Sequence, residues 1–262
     1  MTLSECIEEF LVYLSAVRTL SENTVLGYKN DLTHLADFVG ADRDITSITK
    51  EDILQTIGNL SRQKKASASI NRFIAAVRTL FAYCKKFDYI KISPALEIKT
   101  VKMPKRIPRF MTENEVNELC DSPVTNELLW ETRDKALFEM LYSSGCRISE
   151  LCNLRFTDFT ESYHVAIVRG KGNKDRYVYF EKDAQAALEN YLSDRKKKFL
   201  EEGIVDEWEN VFVNQKGGAL TTGGARYILD RYSGPEGTNH HVSPHAFRHT
   251  FATQMIANGA DV

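Results

Sequence analysis

The sequence predicts two domains: an all-α amino-terminal bundle of four helices, and a mixed, mainly α domain with a small antiparallel sheet, α+β in class. Three observations predict this. Apolar residues recur at three- and four-residue spacing through four successive segments of the first hundred residues, the stripe of amphipathic helices. From Lys91 to Arg109 that period stops, and Pro94, Pro104 and Pro108 fall among Lys99, Lys102, Lys105, Arg106 and Arg109, which marks a stiff, extended connector. Beyond it, the short alternating runs HVAIVRG and RYVYF flank KGNKD, a hairpin signal.

Each element has its own local reason. Ile7, Phe10, Leu11, Leu14 and Val17 form the stripe of a first helix. Ser21 is placed to cap a second, with apolar face Val25, Tyr28, Leu32, Leu35 and Phe38 and with Gly40 as its stop. Thr49 to Asp52 reads as a capping arrangement ahead of Ile53, Leu54 and Ile57. Ser67 or Ser69 opens a fourth helix carrying Phe73, Ile74, Val77, Leu80, Phe81 and Cys84. The bundle is therefore placed at 1–100, the linker at 101–110 and the second domain at 111–262. In that domain Thr112 to Glu115 is a capping box, ETRDKALFEMLYSSG a helix closed by Gly145, and KDAQAALENYLSDRKKKFL a helix with a charged face. VFVN reads as a strand, and TTGGARYILDRY and SPHAFRHTFATQMIANG as helices, the last with Pro244 in its first turn.

Composition narrows the class. With 43% hydrophobic and 27% charged residues, disordered and fibrous readings are excluded. No apolar run approaches the roughly 20 residues of a membrane span, and the acidic MTLSECIEEF lacks a signal-peptide core. Five cysteines with no CxxC pair point to reduced thiols and a cytoplasmic protein. The net charge of −2 conceals an asymmetry: residues 1–110 hold 17 Lys+Arg against 12 Asp+Glu, and residues 111–262 hold 17 against 24. Between 60 and 110 only Asp88 and Glu97 oppose 13 cations. Such a segment, interleaved with small polar residues as in SRQKKASASINR, suits a phosphate backbone.

Three further stretches carry chemistry. SSGCRISEL sets Arg147 between a helix-ending glycine and a new helix start, a place suited to an oxyanion; pairing with Glu150 to brace two helices is the alternative. GKGNKDR puts Lys171 at a hairpin tip, where glycines allow close approach of a ligand or simply make the turn. HAFRH places His245 and Arg248 one helical turn apart, with a capping role for the histidine as the alternative. No clustered acidic motif is present, so a metal-dependent nuclease is not expected, nor any metal or cofactor.

In this order GCRISEL, GKGNKDR and SPHAFRHTFAT, behind SENTVLGYKNDL and SINRFIAAVRTLFAYC, closely resemble the tyrosine recombinase (phage integrase) family, particularly its bacterial Xer-like members. The resemblance covers nearly the whole chain. It implies a core-binding, SAM-like bundle and a catalytic domain performing site-specific DNA recombination through a 3′-phosphotyrosyl intermediate. It assigns Arg147 and Arg248 to the pair that grips the scissile phosphate, Lys171 to the hairpin lysine and His245 to the H-x-x-R histidine. Duplex DNA is the expected partner, held by Lys64, Lys65, Arg72 and Arg78 of the bundle and by Lys102, Lys105 and Arg106 of the connector.

The family pattern continues into a second histidine or tryptophan, the nucleophilic tyrosine and a helix exchanged between subunits of a homo- or hetero-tetramer. None of the eleven tyrosines here follows Arg248, and the chain ends at Val262. The expectation is a DNA-binding, phosphate-organising chain with no nucleophile of its own, weakened tetramer contacts and an apolar groove near Phe251 and Met255. The alternative is a cleavage-dead regulator or architectural protein at recombination sites. The resemblance further implies a bacterial, nucleoid-associated location.

Overall fold

The computed structural model describes residues 1–103, 111–125, 130–170, 174–206, 209–234 and 242–260. The chain divides into two compact units, Met1–Arg106 and Ile107–Val262, each with its own core.

In the first unit, α1 (Leu3–Val12) starts at a Thr2–Glu5 capping box and passes into one π turn, Tyr13–Val17. Helix α2 (Glu22–Val39) follows Ser21, whose hydroxyl meets the Thr24 hydroxyl at 2.9 Å and caps no backbone amide. It stops at Gly40, whose φ of 106° is open to glycine at little cost. Helix α3 (Lys50–Arg62) opens at the expected box, Thr49 with Asp52. Helix α4 (Ser67–Lys86) opens at Ser67 itself, after Ala66, whose carbonyl accepts the Ile70 amide at 3.1 Å and whose side chain caps nothing.

The predicted stripes form the core. Phe10, Leu14, Leu32, Leu35, Ile53, Phe73, Ile74, Val77, Leu80, Phe81 and Cys84 are buried. Three positions differ: Val17, at the end of the π turn, is 66% exposed, and Phe38 and Leu54, each at the margin of its helix's apolar arc, are 38% and 46% exposed.

The stretch after α4, where the helical period has stopped, packs in part onto this unit. Ile90, Ala95 and Ile98 are buried in the bundle core. Asn71 on α4 binds the Val101 backbone twice, Nδ2 to the carbonyl at 2.9 Å and Oδ1 from the amide at 2.7 Å. A periodless segment can still pack when side chains take over its backbone hydrogen bonds.

The second unit is built around α6 (Glu131–Ser144), which packs against α5 (Glu113–Thr125), α8 (Lys182–Glu202) and α10 (Pro244–Ala257). Ala136, Leu137, Phe138, Met140 and Leu141 of α6 are fully buried, and so the helix is apolar around most of its circumference. After the short α7 (Ile148–Cys152), a meander of β1 (Phe159–Glu161), β2 (Val165–Arg169) and β3 (Asp175–Tyr179) forms an antiparallel sheet in that order. Val165 pairs with Tyr179 and Arg169 with Asp175, the expected hairpin; β1 is an addition to it. Helix α9 (Thr222–Tyr232) precedes α10.

VFVN is not a strand. Arg155–Asn210 and Val213–Ala219 form isolated bridges only. Val211, Phe212 and Val213 are all fully buried, which the alternating faces of a half-exposed strand do not allow. Buried side chains replace the missing partner strand. Arg195 Nη1 donates to the Asn210 and Val211 carbonyls, both at 2.9 Å, and the Val213 amide donates to the Tyr191 hydroxyl at 3.1 Å. Among the described residues no helix is long and apolar enough to cross a membrane, and all five cysteines are buried free thiols.

Candidate active site

Helix α6 ends where Gly145 turns left-handed, at φ 58°. A Cβ there would run into the Phe251 ring, so the residue is glycine both for its backbone and for the close approach of α10. The turn buries Cys146 and leaves Arg147 as the residue that opens α7.

Arg147 engages Glu150 twice: its amide donates to Oε2 at 2.7 Å and its Nη1 to Oε1 at 2.8 Å. Arg176, from β3, donates to the same carboxylate with both terminal nitrogens, at 2.9 and 2.8 Å. The Glu150 side chain is 4% exposed, whereas Arg147 and Arg176 are 40% and 35% exposed. Burial works against the charge on Glu150, but the hydrogen bonds from Arg176 and from the Arg147 amide and guanidinium prevail and hold its carboxyl down at about 2.

Arg248 arrives from α10, and its Nη1 donates to the Gly145 carbonyl at 2.7 Å. The two arginines expected to act together are thus both anchored on the Gly145–Glu150 turn. Two guanidiniums share one carboxylate and a third is fixed on the carbonyl that begins the same turn, which leaves an excess of positive charge suited to an oxyanion. His245 lies one turn before Arg248 and is exposed. The groove expected near Phe251 and Met255 is present as a cleft of about 420 Å³, walled also by Gly145, Arg176, Tyr179 and Arg248.

Lys171 lies outside the described residues, as do Lys105 and Arg106. The hairpin neck is described: the Gly170 amide donates to the Lys174 carbonyl at 2.8 Å. A Cβ at Gly170 would sit 3.2 Å from Arg176 Nη1 and 3.6 Å from Glu150 Oε1, so the neck stands beside the arginine–glutamate cluster.

The expected DNA-binding residues divide into two kinds. Lys64 and Lys65 are exposed in the turn between α3 and α4, where Lys64 adopts φ 58°, and Lys102 is exposed after Val101. Arg72 instead clamps buried Asp31 through Nε and Nη2 at 2.8 and 3.0 Å, and Arg78 donates to the Ile98 carbonyl. Both guanidiniums have partners inside the unit, so a phosphate would have to share them, although the Arg72 side chain is 65% exposed. The contribution of Arg176 was missed by sequence reasoning, although GKGNKDR contains it, because nothing local shows that it reaches Glu150.

Among the described residues no group of three His, Cys, Asp or Glu side chains is placed to hold a metal ion. Tyr232 is engaged elsewhere, its hydroxyl 3.1 Å from Asp134 Oδ2.

Comparison with known proteins agrees with the fold of both units. The model described as Phage integrase family matches residues 109–262, and that of the phage integrase N-terminal SAM-like domain matches residues 7–86. The chain is similar to the tyrosine recombinase XerC of Treponema denticola, at 38% identity over 99% of this chain and 88% of that protein. It is similar to that of Oceanobacillus iheyensis at 36% identity over 98% and 84%. Among solved structures, the Tn1549 transposon integrase in complex with transposon right end DNA superposes with a TM-score of 0.77 at 19% identity, covering 100% of this chain and 88% of that one. A lambda integrase dimer bound to a COC′ core site gives 0.75 at 16% identity, covering 100% and 92%.

Proposed function

We propose, from the premise that this chain belongs to the phage integrase family, that it binds duplex DNA and activates one phosphodiester for site-specific strand exchange. The observation that carries this reading is the convergence of Arg147 and Arg248 on the Gly145–Glu150 turn. Attack on a phosphodiester loads negative charge onto the non-bridging oxygens, and two guanidiniums fixed beforehand stabilise that charge at little cost in reorganisation.

In the reaction proposed, a tyrosine hydroxyl attacks phosphorus, a 3′-phosphotyrosyl bond forms and the bond to the 5′ oxygen breaks. Lys171 donates the proton that the leaving 5′ oxygen takes up, and His245 assists proton transfer or hydrogen-bonds the phosphate. The covalent link conserves the phosphodiester's energy, so rejoining needs no nucleotide cofactor. In this proposal residues 1–262 supply binding and phosphate activation, and none of their eleven tyrosines, all of which precede Arg248, is assigned the attack. Lys64, Lys65 and Lys102 contact the backbone of the duplex, and more than one copy assembles on DNA, in keeping with the relative crystallised as a dimer on its core site.

The test pairs two measurements. Gel-shift titration should show duplex binding that falls with salt, by a log–log slope of about −0.9 per phosphate contact. A suicide duplex carrying the bound site should give no SDS-resistant adduct with this chain. Binding indifferent to salt, or an adduct removed by mutating one of the tyrosines present, would overturn the proposal.

A further inference from the structure

We propose that Arg176 is a positioning residue for the phosphate grip: through buried Glu150 it holds Arg147 with one edge of its guanidinium open to an anion. This rests on the reading of Arg147 as a phosphate ligand. The two arginines use Glu150 differently. Arg176 gives both terminal nitrogens to the carboxylate, at 2.9 and 2.8 Å, and so has little fork left for a ligand. Arg147 gives Nη1 and its backbone amide, and among the described residues its Nε and Nη2 have no protein partner. A guanidinium bound by one corner keeps an edge of parallel N–H groups, the geometry that matches two phosphate oxygens.

Glu150 is full in this arrangement. Each oxygen accepts one bond from Arg147 and one from Arg176, which occupies the roughly four lone-pair sites of a carboxylate. With Arg176 removed, a carboxylate that is 4% exposed would lose two charge-assisted donors. Arg147 is its nearest remaining cation, and its guanidinium would turn to a two-pronged grip on Glu150, since a buried anion short of donors is costly. The edge meant for the phosphate would then face the glutamate. Arg176 lies on β3 and Gly170, at the hairpin neck, stands against it, so the pairing of the hairpin and the aim of Arg147 are coupled through this one carboxylate.

The experiment uses the whole chain and a duplex that it recovers from a random-sequence pool. Single neutral methylphosphonates are then scanned along that duplex. For the unmodified chain one position should stand out, with affinity reduced roughly tenfold or more, the scale of a lost charge-assisted contact. In Arg176→Gln the penalty at that position should shrink to within about twofold while penalties elsewhere persist, and Arg176→Lys should restore part of it. In an Arg147→Ala background Arg176→Gln should change nothing further, as expected of a residue acting through Arg147. A position-specific penalty that survives Arg176→Gln in a chain with an unchanged thermal midpoint would overturn the inference and leave the parent reading intact. Should Arg176→Gln not fold, Arg176→Lys carries the test, and an undiminished penalty there overturns the inference equally. If no position stands out in the unmodified chain, the reading of Arg147 as a phosphate ligand fails, and the inference with it.

Discussion

Arg133–Asp134 and Arg147–Glu150–Arg176 are both arginine–carboxylate clusters of the second unit, yet burial acts on them in opposite ways. At the first, Arg133 is 2% and Asp134 0% exposed, and both charges have left water. Burial there pushes the Asp134 carboxyl above its usual range despite Arg133, the Trp130 amide and the Tyr232 hydroxyl. At the second only the carboxylate is buried. The arginines keep over a third of their side-chain surface, and their hydrogen bonds outweigh burial to hold Glu150 at about 2. A cluster sealed on all sides can only brace the fold, here also reaching the Val213 carbonyl through Arg133 Nη1 at 3.5 Å. One with cations left at the surface can present them to a ligand.

Removing one partner from each cluster should separate these roles, with the largest effect on stability at the sealed one. Arg133→Met strands a buried carboxylate and should lower the unfolding free energy by about 3–5 kcal/mol in urea melts. Replacing Asp134 by Leu as well should recover part of the loss, because an apolar pair of similar volume needs no partner. If Arg133→Met melts like the parent, the sealed cluster is not structural and the contrast collapses.

Next in size is the pH dependence of Glu150. Its folded value lies below its ordinary one near 4.5, so its contribution is present above about pH 4.5 and lost as pH falls toward about 2. The shift corresponds to about 3 kcal/mol. Asp134 has the opposite sign, because its raised value makes protonation favour the folded state. Urea melts between pH 5 and 2 should therefore show a loss of stability that Glu150→Gln flattens. A Glu150→Gln profile that keeps the parent's slope would show that Glu150 is not the group responsible.

Arg147→Ala and Arg248→Ala should weaken duplex binding by about 1.5–3 kcal/mol, as for hydrogen bonds to a charged group. Arg147→Ala leaves Glu150 with Arg176, so its thermal midpoint should move far less than that of Arg133→Met. A collapse of stability in Arg147→Ala would make the exposed cluster structural too.

The smallest effect belongs to cations with no carboxylate at all. Lys64→Ala and Lys65→Ala, in the exposed turn between α3 and α4, should leave stability unchanged and each reduce the salt slope of binding by about one phosphate contact. Arg72→Ala should behave differently, since it strands Asp31, whose side chain is 4% exposed. It should cost stability as well as any binding, and a pure binding defect would place Arg72 with the lysines.

Much of this was legible locally. The capping boxes at Thr49 and Thr112, the stops at Gly40 and Gly145 and the register of the hairpin depend on residues within a few positions of one another. So do the apolar stripes, whose period is the helix's own. Where the reading failed, the deciding contact was distant. VFVN lost its strand to Arg133, Tyr191 and Arg195 of α6 and α8, and the hold of Asn71 on Val101, 30 residues on, was not legible locally either.

The same division runs through the candidate site. By itself the sequence determined which residue types could hold a phosphate, and the order of motifs that carries them, because chemistry and helix spacing are written in short stretches. The tertiary structure alone decided which cations stay available. Arg72 and Asp31 are 41 residues apart, Arg176 and Glu150 are 26, and Arg248 and Gly145 are 103. Whether an arginine ends as a brace or as a ligand depends on which carboxylate or carbonyl the fold brings within 3 Å of it, and on how much water is left around the pair.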